Sequence, residues 1–200
     1  MSLLGLVRDK SRDMLTEMIN SFGVKAHMSE RGRPEEKIHK PLWMRSLGII
    51  DVPEGPVRWI NIFKKDGSRH SPPAWHVIFG IPDERVTGSQ GGLEIKTIRQ
   101  KAFPVFGKVV GVDWKGDDLG TGLASVLAND ASVAALVAKT GNLRVKGFDE
   151  GWTIRLDRRI HPKPTWWAWG NRAVRLAGQD WETLQKIADL ILSSPRVSSG

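Results

Sequence analysis

Residues 152–157, Trp-Thr-Ile-Arg-Leu-Asp, alternate apolar and polar without a break. A period of two places Trp152, Ile154 and Leu156 on one face of a strand and Thr153, Arg155 and Asp157 on the other. Just upstream, Leu143-Arg144-Val145-Lys146 alternates in the same sense, and Asp149-Glu150-Gly151 supplies turn chemistry. Residues 143–157 therefore read as an antiparallel hairpin with one apolar and one polar face.

More strands precede it. Residues 57–63 and 75–79 are rich in β-branched and aromatic side chains, and Asp66-Gly67 and Pro72-Pro73 lie between them, which suggests a hairpin with a long loop. Residues 93–99 and 105–114 read as two further strands, joined to their surroundings by the Gly-rich residues 87–92. Helical spacing appears elsewhere. Leu3, Leu4, Val7, Met14, Leu15, Met18, Ile19 and Phe22 recur at three- and four-residue steps, with Gly23 as a natural stop. Residues 119–140 read as two helical pieces broken near Asn129-Asp130, with Asp130 capping the second and Gly141 ending it. A last helix is expected over about residues 181–192, capped by Asp180 and stopped before Pro195.

Strands cluster, and helices fall before, between and after them without regular βαβ alternation. The expected fold is α+β: a mainly antiparallel sheet built from hairpins, with an N-terminal helix, a central helical pair and a C-terminal helix. Two hundred residues suit one such domain. The expected organisation is a helix at 1–23, an exposed polar connection at 24–45, one α+β domain at 46–195 and a tail at 196–200. His27 and His39 fall in that connection without metal-ligand spacing, so both read as solvated loop residues.

The apolar start Met1–Val7 is interrupted by Arg8, Asp9, Lys10, Arg12 and Asp13, with no small-residue cleavage site after it. No apolar run approaches the ~20 residues that cross a bilayer as a helix. A soluble cytoplasmic chain without a transmembrane segment is the expectation. The polar side of the first helix balances Arg8, Lys10 and Arg12 against Asp9, Asp13 and Glu17, which argues against an anionic-membrane anchor. That helix should pack on its own core or on a second copy through residues 1–40.

Catalytic signatures are scarce. The chain has no Cys and no Tyr, which removes thiol nucleophiles, thiolate metal sites and phenolic acids together. There is no nucleophile elbow, no P-loop and no zinc helix. Gly120-Thr121-Gly122-Leu123-Ala124-Ser125 looks like a glycine-rich phosphate turn, but Asp117 and Asp118 would set negative charge beside the phosphates. A strand-to-helix turn is the stronger reading. Asp113, Asp117 and Asp118 match no calcium loop, and no cofactor or metal is implied. His76 lies on the strand face opposite Trp75, Val77 and Phe79. An enzyme reading would need His76, Asp113, Asp117 and Asp118 to converge on one small site.

Charge is the most informative feature. The chain carries a net +8, of which +5 comes from residues 144–175. There Arg144, Lys146, Arg155, Arg158, Arg159, Lys163, Arg172 and Arg175 stand against Asp149, Glu150 and Asp157. If the apolar residues of the hairpin face inward, Arg144, Lys146 and Arg155 share its outer face. Trp166, Trp167 and Trp169 follow in the same window. Cations that neutralise phosphates, beside flat aromatics that stack on bases, are the ingredients of single-strand nucleic-acid binding. They would also suit an anionic lipid surface, with nucleic acid slightly ahead. The reading of the sequence is thus a non-catalytic protein that binds an anionic partner. A small acidic/His enzyme and a self-associating structural protein are the alternatives.

Overall fold

The computed structural model describes residues 9–70, 73–85, 93–101, 109–118, 120–157, 160 and 174–194. In chain order the elements are α1 (Ser11–Asn20), β1 (His27–Met28), a 3-10 turn (Pro34–Lys37), β2 (Arg45–Asp51), β3 (Trp59–Lys65), β4 (Ala74–Pro82), β5 (Glu94–Lys101), β6 (Val109–Asp117), α2 (Leu123–Ala128), α3 (Ala131–Thr140), β7 (Leu143–Phe148), β8 (Gly151–Leu156) and α4 (Gly178–Ser193). The strands form one antiparallel sheet ordered β1-β2-β3-β4-β8-β7-β5-β6. The fold is α+β, with the N-terminal helix, central helical pair and C-terminal helix that the pattern predicts.

The period-two alternation settles which side of the sheet is covered. Ile60, Ile62, Val77, Phe79, Ile81, Ile95, Val145, Ile154 and Leu156 all point to one side, the inner face. There they meet Leu15, Met18 and Ile19 of α1, Leu127 of α2, Val133, Leu136 and Val137 of α3, and Trp181, Leu184, Ile187 and Ile191 of α4 in one continuous core. Each such aliphatic side chain contributes on the order of 1.5–3 kcal/mol on burial, so this layer dominates the stability of the molecule. α1 thus packs on the core of its own chain. Two ion pairs, Lys139 with Asp180 and Lys186 with Asp130, tie α3 and α4 together.

Helix ends follow local chemistry. Asp130 caps α3 by accepting hydrogen bonds from Ser132 N at 2.9 Å and Val133 N at 3.4 Å, and Gly141 ends the helix at a positive φ of 87° that favours glycine. α4 starts at Gly178 rather than Trp181. Asp180 acts from the third helical position, reaching back to accept from Ala177 N at 2.6 Å, instead of standing before the helix.

Two strands were not anticipated. β2 escapes a periodicity reading because Gly48 (φ 113°) sits in a register shift between Ser46 and Ile49, which breaks the alternation. β1 is only two residues long and exists through its pairing with β2. The segment expected as an exposed connection runs over the outer face of the sheet. Arg31 donates to the carbonyls of Leu47 and Ser46, each at 3.0 Å, and Arg33 pairs with Asp51 at 2.5 Å. The fully buried Asn61 of β3 donates to the Glu35 carbonyl at 2.9 Å and accepts from Ser46 Oγ at 2.7 Å. Under this cover lies a second small apolar cluster of Met44, Ile49, Trp59, Phe63 and Ile78, with Ile38 and Phe148 against it. Trp59 lies directly over Gly80, where a Cβ would stand 1.8 Å from its ring.

Candidate anion-binding face

Past that apolar cluster the outer face changes character. Arg155 stands opposite Ile78 on β4 and Arg144 on β7, and Lys146 stands opposite Thr153. These side chains floor a cavity of about 220 Å³, also lined by Ile78, His39 and Lys40. His39 and Lys40 come from the covering segment, which turns at this point. His39 is the only non-glycine residue at positive φ (45°) among the described residues. Such a conformation is uncommon away from glycine and marks a place where the surroundings hold the chain against its preference.

The electrostatics are lopsided. Four cations line the cavity, and Glu94 of β5 is the carboxylate that answers them, 3.2 Å from Arg144 and 3.6 Å from Lys146. Arg155 has no ion pair among the described residues, and its Nε is buried without a hydrogen-bond partner. Burial lowers its pKa, and the charge of Arg144 adds to the effect while Asp157 opposes it. His39 Nε2 is likewise buried without a partner. Burial lowers the His39 pKa, and Lys146 and Arg155 lower it further, against the opposing influence of the Gly147 backbone and Glu94. The site therefore holds one desolvated guanidinium donor, three partly exposed cations and a neutral imidazole in a positive field. An anion entering it would meet the unpartnered Arg155 Nε–H in a low-dielectric setting, where charge-assisted hydrogen bonds are strongest.

His39 and Lys146 also line an adjoining open groove of about 440 Å³, whose walls are the apolar Pro34, Ile38 and Phe148 and the acidic Glu35, Asp149 and Glu150. Immediately after Lys40, the turn Pro41–Met44 closes through Met44 N to the Pro41 carbonyl at 3.1 Å. At its tip Leu42 is 97% and Trp43 68% exposed.

The hairpin cations expected from the alternation, Arg144, Lys146 and Arg155, are thus together on one face. They are half-buried in a cavity instead of spread on open sheet, because residues 34–44 fold over them. His39, read as a solvated loop residue, lines the cavity. Arg158, Arg159, Lys163, Trp166, Trp167, Trp169 and Arg172 lie outside the described residues. Among the described residues the exposed tryptophan nearest in sequence to the cavity lining is Trp43, three residues after Lys40, which the alternation of the hairpin did not point to. Its signal was the Lys40-Pro41-Leu42-Trp43 run, a turn flanked by charge.

The acidic/His constellation does not assemble. His76 is on β4 and Asp113 on β6, four strands apart in the sheet, or roughly 19 Å at the usual strand spacing. Asp113 accepts from Gln100 Nε2 at 2.7 Å. Asp118 accepts from Gly120 N at 3.1 Å and Ala124 N at 3.3 Å, filling with its own carboxylate the place a phosphate would take in the Gly120–Ser125 turn. Among the described residues no group of three or more His, Asp or Glu could hold a metal ion, and no helix is long and apolar enough to cross a membrane. Compared with known protein families, curated proteins and solved structures, the chain matches none.

Proposed function

We propose that the chain is a binding protein for an anionic partner, with nucleic acid as the leading class, and that contact is made through the outer face of the β7–β8 hairpin. The observation that carries this reading is the cavity of Arg144, Lys146, Arg155, Lys40 and His39, in which four cations outnumber the carboxylates that act on them, Glu94 and Asp157, and the buried Arg155 Nε has no hydrogen-bond partner. Burying like charges side by side lowers stability unless something answers them. A phosphate group is the right charge and fits the volume. In sequence, the cations and tryptophans of residues 158–172 follow β8.

An anionic lipid surface is the second reading, favoured by Leu42 and Trp43 at the tip of the turn beside Lys40. Fluorescence anisotropy with labelled single- and double-stranded oligonucleotides, together with flotation on phosphatidylserine vesicles, separates the two. Association should fall by at least tenfold between ~50 mM and ~200 mM salt, because neutralised phosphates release counterions. Binding to neither probe at low salt would remove the proposal.

A further inference from the structure

The strand registers extend the basic site well beyond the cavity. Arg155 pairs with Arg144, Arg144 with Lys96 of β5, and Lys96 with Lys115 of β6. Residues directly opposite one another project to the same face, so these four cations stand side by side across four adjacent strands. Three strand spacings make the row about 14 Å long. Its inner end is the cavity under His39 and Lys40; its outer end is the exposed β6 edge.

The carboxylates of this face lie in other rows, and Asp157, whose charge acts on Arg155, lies two residues further along the chain. Glu94 and Asp117 stand opposite each other in the row that contains Lys146 and Thr153, and Asp113 stands opposite Ile98 in the row on the other side. Each is displaced from the cationic row by two residues along its strand, roughly 7 Å. Glu94 reaches Arg144 but no ion pair engages Arg155, Lys96 or Lys115 among the described residues. Lys96 and Lys115 are both exposed. Like charges directly opposite one another destabilise a sheet, and stable sheets place opposite signs across strands. Here three successive pairs have the same sign. A linear polyanion laid across the strands relieves all three at once.

We infer that the row Arg155–Arg144–Lys96–Lys115 is the track for one strand of single-stranded nucleic acid, with one phosphate seated in the cavity and its neighbours following the row towards β6. The inference rests on the binding role proposed above and adds the path and the form of the partner. Trp43 lies three residues from Lys40, no more than about 11 Å along the chain, at the cavity end. With 68% of its surface exposed it offers a face on which an unpaired base can stack. A duplex has no free base face to offer and would gain nothing from Trp43.

The test is the salt dependence of binding to a labelled oligothymidylate, measured for the full chain and two variants. Three to four neutralised phosphates give a slope of log K against log salt of roughly −2 to −3 for a single strand. In the double variant Lys96→Ala/Lys115→Ala, both positions are exposed and the fold is expected to stand, which circular dichroism verifies. Its slope should flatten by about 1.4, with affinity down at least tenfold at low salt. Trp43→Ala should weaken binding roughly five- to a hundredfold and leave the slope unchanged. If the parent binds but the double variant keeps its slope and affinity, the track is wrong while the binding role stands. If duplex binds as tightly and Trp43→Ala has no effect, the single-strand assignment is wrong. Binding to phosphatidylserine vesicles with none to oligothymidylate overturns the inference in favour of lipid. Binding to neither overturns the proposed function itself.

Discussion

Ile154 and Arg155 are neighbours on β8, yet they belong to different environments. Ile154 enters the inner face, where four helices close over aliphatic side chains and the core is continuous. Arg155 enters the outer face, where the same strand shows a cation to other cations. The outer face itself divides. Over β2–β4 it is apolar and sealed by residues 34–44; over β8, β7, β5 and β6 it is basic and, at Lys96 and Lys115, exposed. One surface is arranged for packing and the other for a partner. Their alternation along a single strand means that each can be altered without touching the other.

The largest effect should come from the inner face. Ile154→Ala removes a fully buried side chain, and a loss of about 2–5 kcal/mol is expected, or a fall in Tm of roughly 4–20 °C by calorimetry. Anion binding by the fraction still folded should not change. Next is Gly80→Ala, whose Cβ would collide with the Trp59 ring in the sealed half of the outer face. Overpacking there costs about 1–3 kcal/mol in a denaturant titration, and the near-parental affinity of the refolded variant would show that the two halves are separable. Arg155→Leu inverts the pattern. Replacing a desolvated, unpaired charge by a hydrophobic side chain should leave stability unchanged or raise it by about 1 kcal/mol, while affinity for an oligonucleotide falls at least tenfold. If Arg155→Leu were destabilised like Ile154→Ala, the division between the faces would be mistaken.

The smallest effect is a pH dependence centred on His39. The charged groups that act on its ring are Lys146, Arg155 and Glu94; Arg144 and Lys40 line the same cavity, and Glu35, Asp149 and Glu150 line the adjoining groove. Its pKa is lowered in the folded chain, so the unfolded chain takes up a proton first. That stabilising contribution is present at neutral pH and is lost as pH falls below about 6.5. A bound anion favours the imidazolium and reverses the preference. Affinity should therefore rise severalfold as pH is lowered from about 8 to about 6, with net proton uptake in calorimetry. His39→Gln should flatten the profile; a parental profile that is already flat would remove His39 from the site.

Much of the architecture was legible because it is local. The hairpin declared its faces through six alternating residues, and Asp130 and Gly141 marked both ends of α3 before any contact was known. What stayed hidden was non-local. His39 looks like any polar loop residue until Arg31, Arg33 and Asn61 pin its segment over the sheet. Summing charge over residues 144–175 finds Arg144 and Arg155 but misses Lys96 and Lys115. Those two join the row only because β7 pairs with β5, some fifty residues earlier in the chain. The Gly48 bulge hid β2 by the same logic in reverse, since one irregular residue defeats a pattern that the neighbouring strand restores.

The placement of β8 between β4 and β7 also has a kinetic meaning. β4 and β8 pair from Ile78–Arg155 to Pro82–Gly151, so this central seam closes only after the chain has looped through everything between them. Loop-closure entropy is spent before these contacts form, and sheets dominated by such pairings fold in milliseconds to seconds instead of microseconds. Arg155 meets Ile78 and the rim of His39 and Lys40 only when that seam is complete. A chain arrested earlier, with its hairpins formed but unjoined, would hold Arg144, Lys146 and Arg155 on one hairpin without the Ile78, His39 and Lys40 walls, so ligand capture during refolding would report closure of this seam.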